Sequence, residues 1–212
     1  MRQQPRKTTP RVQDGKVQRK NRTDLSPHYS NTPQDRPIVD RQRPGQGYRH
    51  LLTKQQVYQF IDILPDWGEL SRGLNAVVLA PGDESAMGWH RPGVVAVCAW
   101  DADLECEWDT EFLEPHQDVL LRLGVPKESI YHTLEDEQFA RPDPLAQLCR
   151  FTERSARGFQ LMHVFLHELG HHHDRMTTRS RRRASRGESY AEQYAIRYGE
   201  QIWESYFKVF GW

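Results

Sequence analysis

Residues 159–174 read FQLMHVFLHELGHHHD. Leu161, Met162, Val164, Phe165, Leu166 and Leu169 give this stretch enough apolar surface to bury a helix at the centre of a fold. Inside it stands His167-Glu168-Leu169-Gly170-His171, an HExxH pattern. On an α-helix residues four apart share one face, so the imidazoles of His167 and His171 can meet a single Zn²⁺ at ~2.0–2.1 Å. Glu168 is turned about 100° from His167, beside the metal, where it can accept a proton from a metal-bound water. Two buried imidazoles without partners would be destabilising, and coordination removes that penalty. His172 and His173 fit a simpler role at a helix end, where the dipole favours their rings. His163, one turn back on the same stripe, reads as a core histidine bonded to backbone, with a ligand role as its alternative.

A hydrolytic zinc site takes three protein ligands and keeps one position open. Six residues past His171 stands Thr177, with no turn glycine before it, so a third ligand is not found there. Further on, residues 187–195 read GESYAEQYA; Glu188 lies 17 residues after His171, and Glu192 follows one turn later on the same helical face. Either carboxylate is a candidate third ligand. As a plain amphipathic helix, residues 188–209 would pack Tyr190, Tyr194, Ile196, Tyr198, Ile202, Trp203 and Phe207 inward, and one of the tyrosines is a candidate oxyanion donor.

HExxH with a downstream glutamate resembles the glutamate zincins (gluzincins), and GESYAEQYA looks like the E-x-x-A-x-x-F-A helix of ImmA/IrrE-type metallopeptidases. The resemblance covers His167 to Ala195 and concerns the metal centre alone. It implies Zn²⁺ on His167, His171 and Glu188, with Glu192 hydrogen-bonded to a zinc-bound imidazole. The family usually has Asp or Asn at that last position, and the longer Glu192 is the alternative ligand. Peptide-bond hydrolysis with Glu168 as general base is implied, on one regulatory protein or a toxin-like target. Zincins also align the peptide along an edge strand, for which residues 93–100 are the candidate.

Working outward, residues 177–187 carry the arginine cluster Arg179, Arg181, Arg182, Arg183 and Arg186, close to Arg175. It reads as a solvated loop, a gate for acidic substrates, or a weak nucleic-acid contact. Helical pattern runs from about Leu145 to the end, interrupted by that polar stretch. Upstream, Thr53 is a plausible N-cap for a helix over TKQQVYQFIDIL, closed by Pro65. Residues 75–80 (NAVVLA) and 93–100 (GVVAVCAW) read as strands, residues 115–123 as a helix, and residues 129–134 as a third strand. The pattern predicts an α+β single domain over residues 51–212, and the resemblance implies that it is zincin-like, a small mixed sheet packed on the HExxH helix and a C-terminal helix.

The formal charge is zero, from 29 basic and 29 acidic residues, but residues 1–50 hold 12 Lys/Arg against 4 Asp and the rest holds 17 against 25. That makes a basic arm of +8 on an acidic body of −8. The arm has too few apolar residues to fold alone, so residues 1–50 are expected to be a disordered tail, solvating or weakly bound to nucleic acid. The expected partner is a protein or peptide substrate. The rival reading is a nucleic-acid-associated protein that uses the tail and the Arg179–Arg186 loop, with a structural or catalytically silent zinc. No apolar run approaches the ~18 residues a membrane span requires. Three cysteines with no CxxC pair, and no hydrophobic leader after the basic start, point to a cytoplasmic protein.

Overall fold

The computed structural model describes residues 36–130, 146–178 and 186–211, together with the paired segments Val12–Gln13 (β1) and Lys16–Val17 (β2). Strands Ile38–Arg41 (β3) and Tyr48–Arg49 (β4) lead into helices Lys54–Ile63 (α1) and Trp67–Leu70 (α2). Then come Ala76–Ala80 (β5), Gly88–Arg91 (β6), Val94–Cys98 (β7), Trp100–Asp101 (β8), Glu105–Asp109 (β9), Thr110–Arg122 (α3) and Lys127–Ile130 (β10). The last part holds Ala146–Arg150 (β11), Glu153–Phe159 (α4), a π-helical turn Gln160–Phe165, Leu166–Thr177 (α5) and Gly187–Phe210 (α6). The fold is mixed α and β.

The helices begin where their caps dictate. The Thr53 hydroxyl accepts from the Gln56 N–H while the Gln56 side chain accepts from the Thr53 N–H, a reciprocal capping box. Asp109 caps α3 by accepting from the Phe112 N–H, and Thr152 caps α4 with Ser155 as its reciprocal partner. The main sheet runs β3-β5-β7-β6, with β3, β5 and β7 parallel and β6 antiparallel at the edge. Its strands β5 and β7 are buried throughout, as their Val- and Ala-rich sequences require. A second, antiparallel sheet has the order β10-β11-β9.

Several expectations need correcting. Folded structure starts upstream of residue 51: β3 pairs in parallel with β5, and the Val39 N–H donates to the Tyr58 hydroxyl. Two apolar residues sufficed there because the strand borrows its core from elements far along the chain. Of the expected tail, residues 36–50 and the paired segments β1 and β2 are described, and the rest lies outside the described residues. Residues 93–100 supply an inner strand, β7, and the edge is β6 instead. Residues 146–150 are strand rather than helix, paired with both β9 and β10. The helix expected over 115–123 starts earlier, at Thr110, with Pro115 inside it. Of the third expected strand, residues 129–130 lie in β10, which starts earlier at Lys127, and residues 131–134 fall outside the described part. On α6, Ile196 points outward, 46 % exposed. No helix among the described residues is long and apolar enough to cross a membrane.

The core lies between the main sheet and the α4–α5 and α6 helices. Phe60 meets Phe165 edge-on at 5.6 Å and Tyr206 at 6.2 Å, joining α1, the π turn and α6. Each such side chain contributes about 1.5–3 kcal/mol of burial. Two glycines set the spacing around α5. A Cβ on Gly170 would stand 2.9 Å from the Ala191 Cα and 3.0 Å from the Tyr194 Cβ, so α5 and α6 touch almost backbone to backbone. A Cβ on Gly88 would stand 2.8 Å from Val164 and 2.9 Å from the Glu168 side chain, so β6 lies directly on the HExxH helix.

Candidate metal centre

The close approach at Gly170 brings the first turn of α6 over the HExxH face of α5. The Nε2 atoms of His167 and His171 are 3.1 Å apart, and Glu188 Oε2 is 3.1 Å from the first and 3.2 Å from the second. A tetrahedral ion with bonds of ~2.0–2.1 Å needs donors about 3.3 Å apart. The donor set of two imidazoles and a carboxylate therefore fits a zinc ion in both chemistry and spacing. Glu188 is largely exposed at the mouth of the site, whereas His171 is buried.

Glu192 stands on the other side of His167, its Oε2 3.2 Å from Nδ1. A carboxylate there makes Nδ1 the protonated nitrogen and leaves Nε2 with its lone pair facing His171 and Glu188. Burial opposes protonation of His167, but the carboxylates of Glu192, Glu168 and Glu188 outweigh it and lift its pKa. Burial also opposes ionisation of Glu192, and the His167 hydrogen bond with the nearby His163 and His116 rings lowers its pKa nonetheless. His171 is shifted downward, by burial first and the neighbouring His90 ring second.

Glu168 is buried beside the pair, and His90 Nδ1 lies 3.2 Å from its Oε2. The same His90 ring stacks on His171 at 4.4 Å, with 18° between the planes. One histidine of edge strand β6 thus orients both the glutamate and a candidate ligand. It had no sequence signal beyond being a histidine in a loop-like stretch. His163 departs from its reading as a backbone-bonded core residue: its Nε2 is 2.8 Å from that of His116 on α3. His116 was visible only as a histidine on the apolar face shared with Leu113 and Leu120.

The remaining sequence candidates take other places. His172 Nε2 donates to the Arg72 carbonyl, and His173 Nδ1 is 2.7 Å from the Tyr190 hydroxyl. Thr177 donates to the His173 carbonyl and stays out of the centre. A cleft of about 480 Å³ opens over the site between α3, β6, α5 and α6, lined by Met87, Phe112, His167, Glu168 and Glu188 among others. Among the described residues that line it there is no tyrosine. Of the arginine loop, residues 179–185 lie outside the described residues. Arg186 donates through Nε and its backbone N–H to the fully buried Asp174 and stacks on Tyr190.

No family model, no curated protein and no solved structure matches the chain.

Proposed function

We propose that the protein is a zinc-dependent peptidase with a zincin-like fold, holding Zn²⁺ through His167, His171 and Glu188. The observation that carries this reading is the near-equilateral set of donors, 3.1–3.2 Å on every side, with a buried glutamate next to it. A zinc ion bound there supplies Lewis-acid polarisation of a carbonyl and of a water. The chain's own part is orientation and proton transfer. Glu192 fixes the His167 ring through Nδ1, and Glu168 takes the proton of the attacking water as general base. His90 holds Glu168 against the cleft and keeps its carboxylate from turning into the core.

Edge strand β6 supports a protein or peptide as the substrate. Its inner side pairs with β7, its outer side has no strand partner in the sheet, and it borders the HExxH helix. An extended peptide added there would run past Glu168. Location in the cytoplasm belongs to the same proposal: the Cys98 and Cys106 thiols, pushed up to about 12 by burial, are free.

Glu168→Gln tests the reading, because it preserves shape and removes the base. Hydrolysis of a protein or peptide library should fall ~10²–10⁴-fold with zinc content unchanged. Activity equal to wild type in a zinc-loaded Glu168→Gln protein would refute it.

A further inference from the structure

We propose that the chain holds a second cation site, formed by His116, His163 and Glu192, behind the first. The three ligands come from α3, the π turn and α6, and the π turn itself places His163: all six of its residues are buried. Such turns concentrate where a helix must re-aim a functional side chain. The donor atoms gather in a second cluster, with one Glu192 oxygen nearest each imidazole. His116 Nε2 and His163 Nε2 are 2.8 Å apart, Glu192 Oε2 is 3.7 Å from His163, and Glu192 Oε1 is 3.9 Å from His116. The imidazole separation is shorter, and the two carboxylate distances, one from each Glu192 oxygen, are longer than the ~3.3 Å between donors of a tetrahedral ion. The two imidazoles are nearly inaccessible, their side chains 7 % and 10 % exposed.

A hydrogen-bonded pair of neutral imidazoles is the competing account, and it leaves a defect. His116 Nδ1 donates to the Phe112 carbonyl, so its Nε2 carries a lone pair, and a pair would need His163 to donate to it. Glu192 Oε1 then stays buried with no hydrogen-bond partner among the described residues. A divalent cation satisfies both lone pairs and the carboxylate at once. Two imidazoles and one carboxylate suit Zn²⁺, or Co²⁺ as its probe, and not Ca²⁺ or Mg²⁺. Glu192 would then face two ways, ligating the second ion while accepting from His167 Nδ1. The two sites would be coupled through it, and the second ion would tie α3 to the helices of the first.

The inference goes beyond the peptidase reading and is tested by stoichiometry rather than turnover. The full chain is stripped with chelator, reloaded with Zn²⁺, desalted and measured for zinc per chain by elemental analysis. Two zincs are expected in wild type, one in His116→Gln and one in His171→Gln. The second zinc should raise the melting temperature by about 5 °C or more when saturating. Wild type with one zinc, lost in His171→Gln and kept in His116→Gln, overturns the second site and leaves the peptidase reading standing. The mirror result, zinc lost only in His116→Gln, removes the catalytic centre and keeps this site. Should His116→Gln not fold, Co²⁺ titration of wild type decides: two breaks support the second site and a single break at one equivalent overturns it.

Discussion

Gly170→Ala is the sharpest probe of how the proposed metal centre is built, because it touches none of the proposed ligands. The added Cβ would meet the Ala191 Cα at 2.9 Å, the Tyr194 Cβ at 3.0 Å and the Ala191 carbonyl oxygen at 3.2 Å. Ordinary contact begins near 3.4 Å, so restoring it would move α6 away from α5 by about 0.5 Å. Two of those obstacles are backbone, which cannot rotate aside. Overpacking of this kind costs about 1–3 kcal/mol, while exchanging glycine for alanine in a helix returns about 1 kcal/mol. The net change is a destabilisation of ~0–2 kcal/mol, a fall of up to ~8 °C in melting temperature. The larger effect falls on zinc. Glu188 rides on the same first turn of α6 as Ala191, and a ligand displaced by about 0.5 Å exceeds the ~0.2 Å that a metal site tolerates. Zinc affinity should drop by about tenfold or more, measured by competition with a chromophoric chelator, alongside thermal unfolding of the metal-free protein. A Gly170→Ala protein that melts higher than wild type and holds zinc equally well would refute the reasoning. Gly170 would then be only a weak helix residue, and the helix contact would not set the site.

Further substitutions separate the two glutamates of α6. Glu188→Gln should abolish tight zinc binding at the first centre, whereas Glu192→Gln should weaken it ~10–100-fold by releasing the His167 ring; equal losses in chelator competition would contradict the assignment. Asp174 offers a pH test. Burial raises its pKa, but the hydrogen bonds from Arg186 and Gly187 outweigh that and hold it below the ordinary 3.8. A carboxylate lowered in the folded state contributes stability that is complete above 3.8 and lost as pH falls through its folded value. Asp174→Asn should therefore cost about 1.5–3 kcal/mol at neutral pH, and the gap to wild type in urea unfolding should close below pH 4; a gap independent of pH would refute this.

What the sequence made legible follows from how local each signal is. The HExxH residues, Glu188 and Glu192 are placed by helix periodicity and two short spans of chain, so their coming together was readable in outline. The Thr53 cap and the stop at Pro65 are likewise contained within a dozen residues. His90 and His116 were invisible because their roles depend on partners 78 and 47 residues away, Glu168 and His163. Strand β3 was missed for the same reason, its stability coming from β5 and Tyr58. In β9 and β11 the polar sequences ECEWD and AQLCR hid two strands, since β9 alternates exposed and half-buried positions with none fully buried and β11 buries only Ala146 and Cys149. The π turn has no sequence signature at all.

The bond network of Asp174 bears on how the spacing of the proposed centre is held. By gripping Arg186 and Gly187, it fastens the end of α5 to the beginning of α6 at the point where the connecting residues leave and return. Glu188 begins the helix immediately after that clasp. Asp174 thereby holds the spacing between His171 and Glu188 through bonds additional to the chain that joins them.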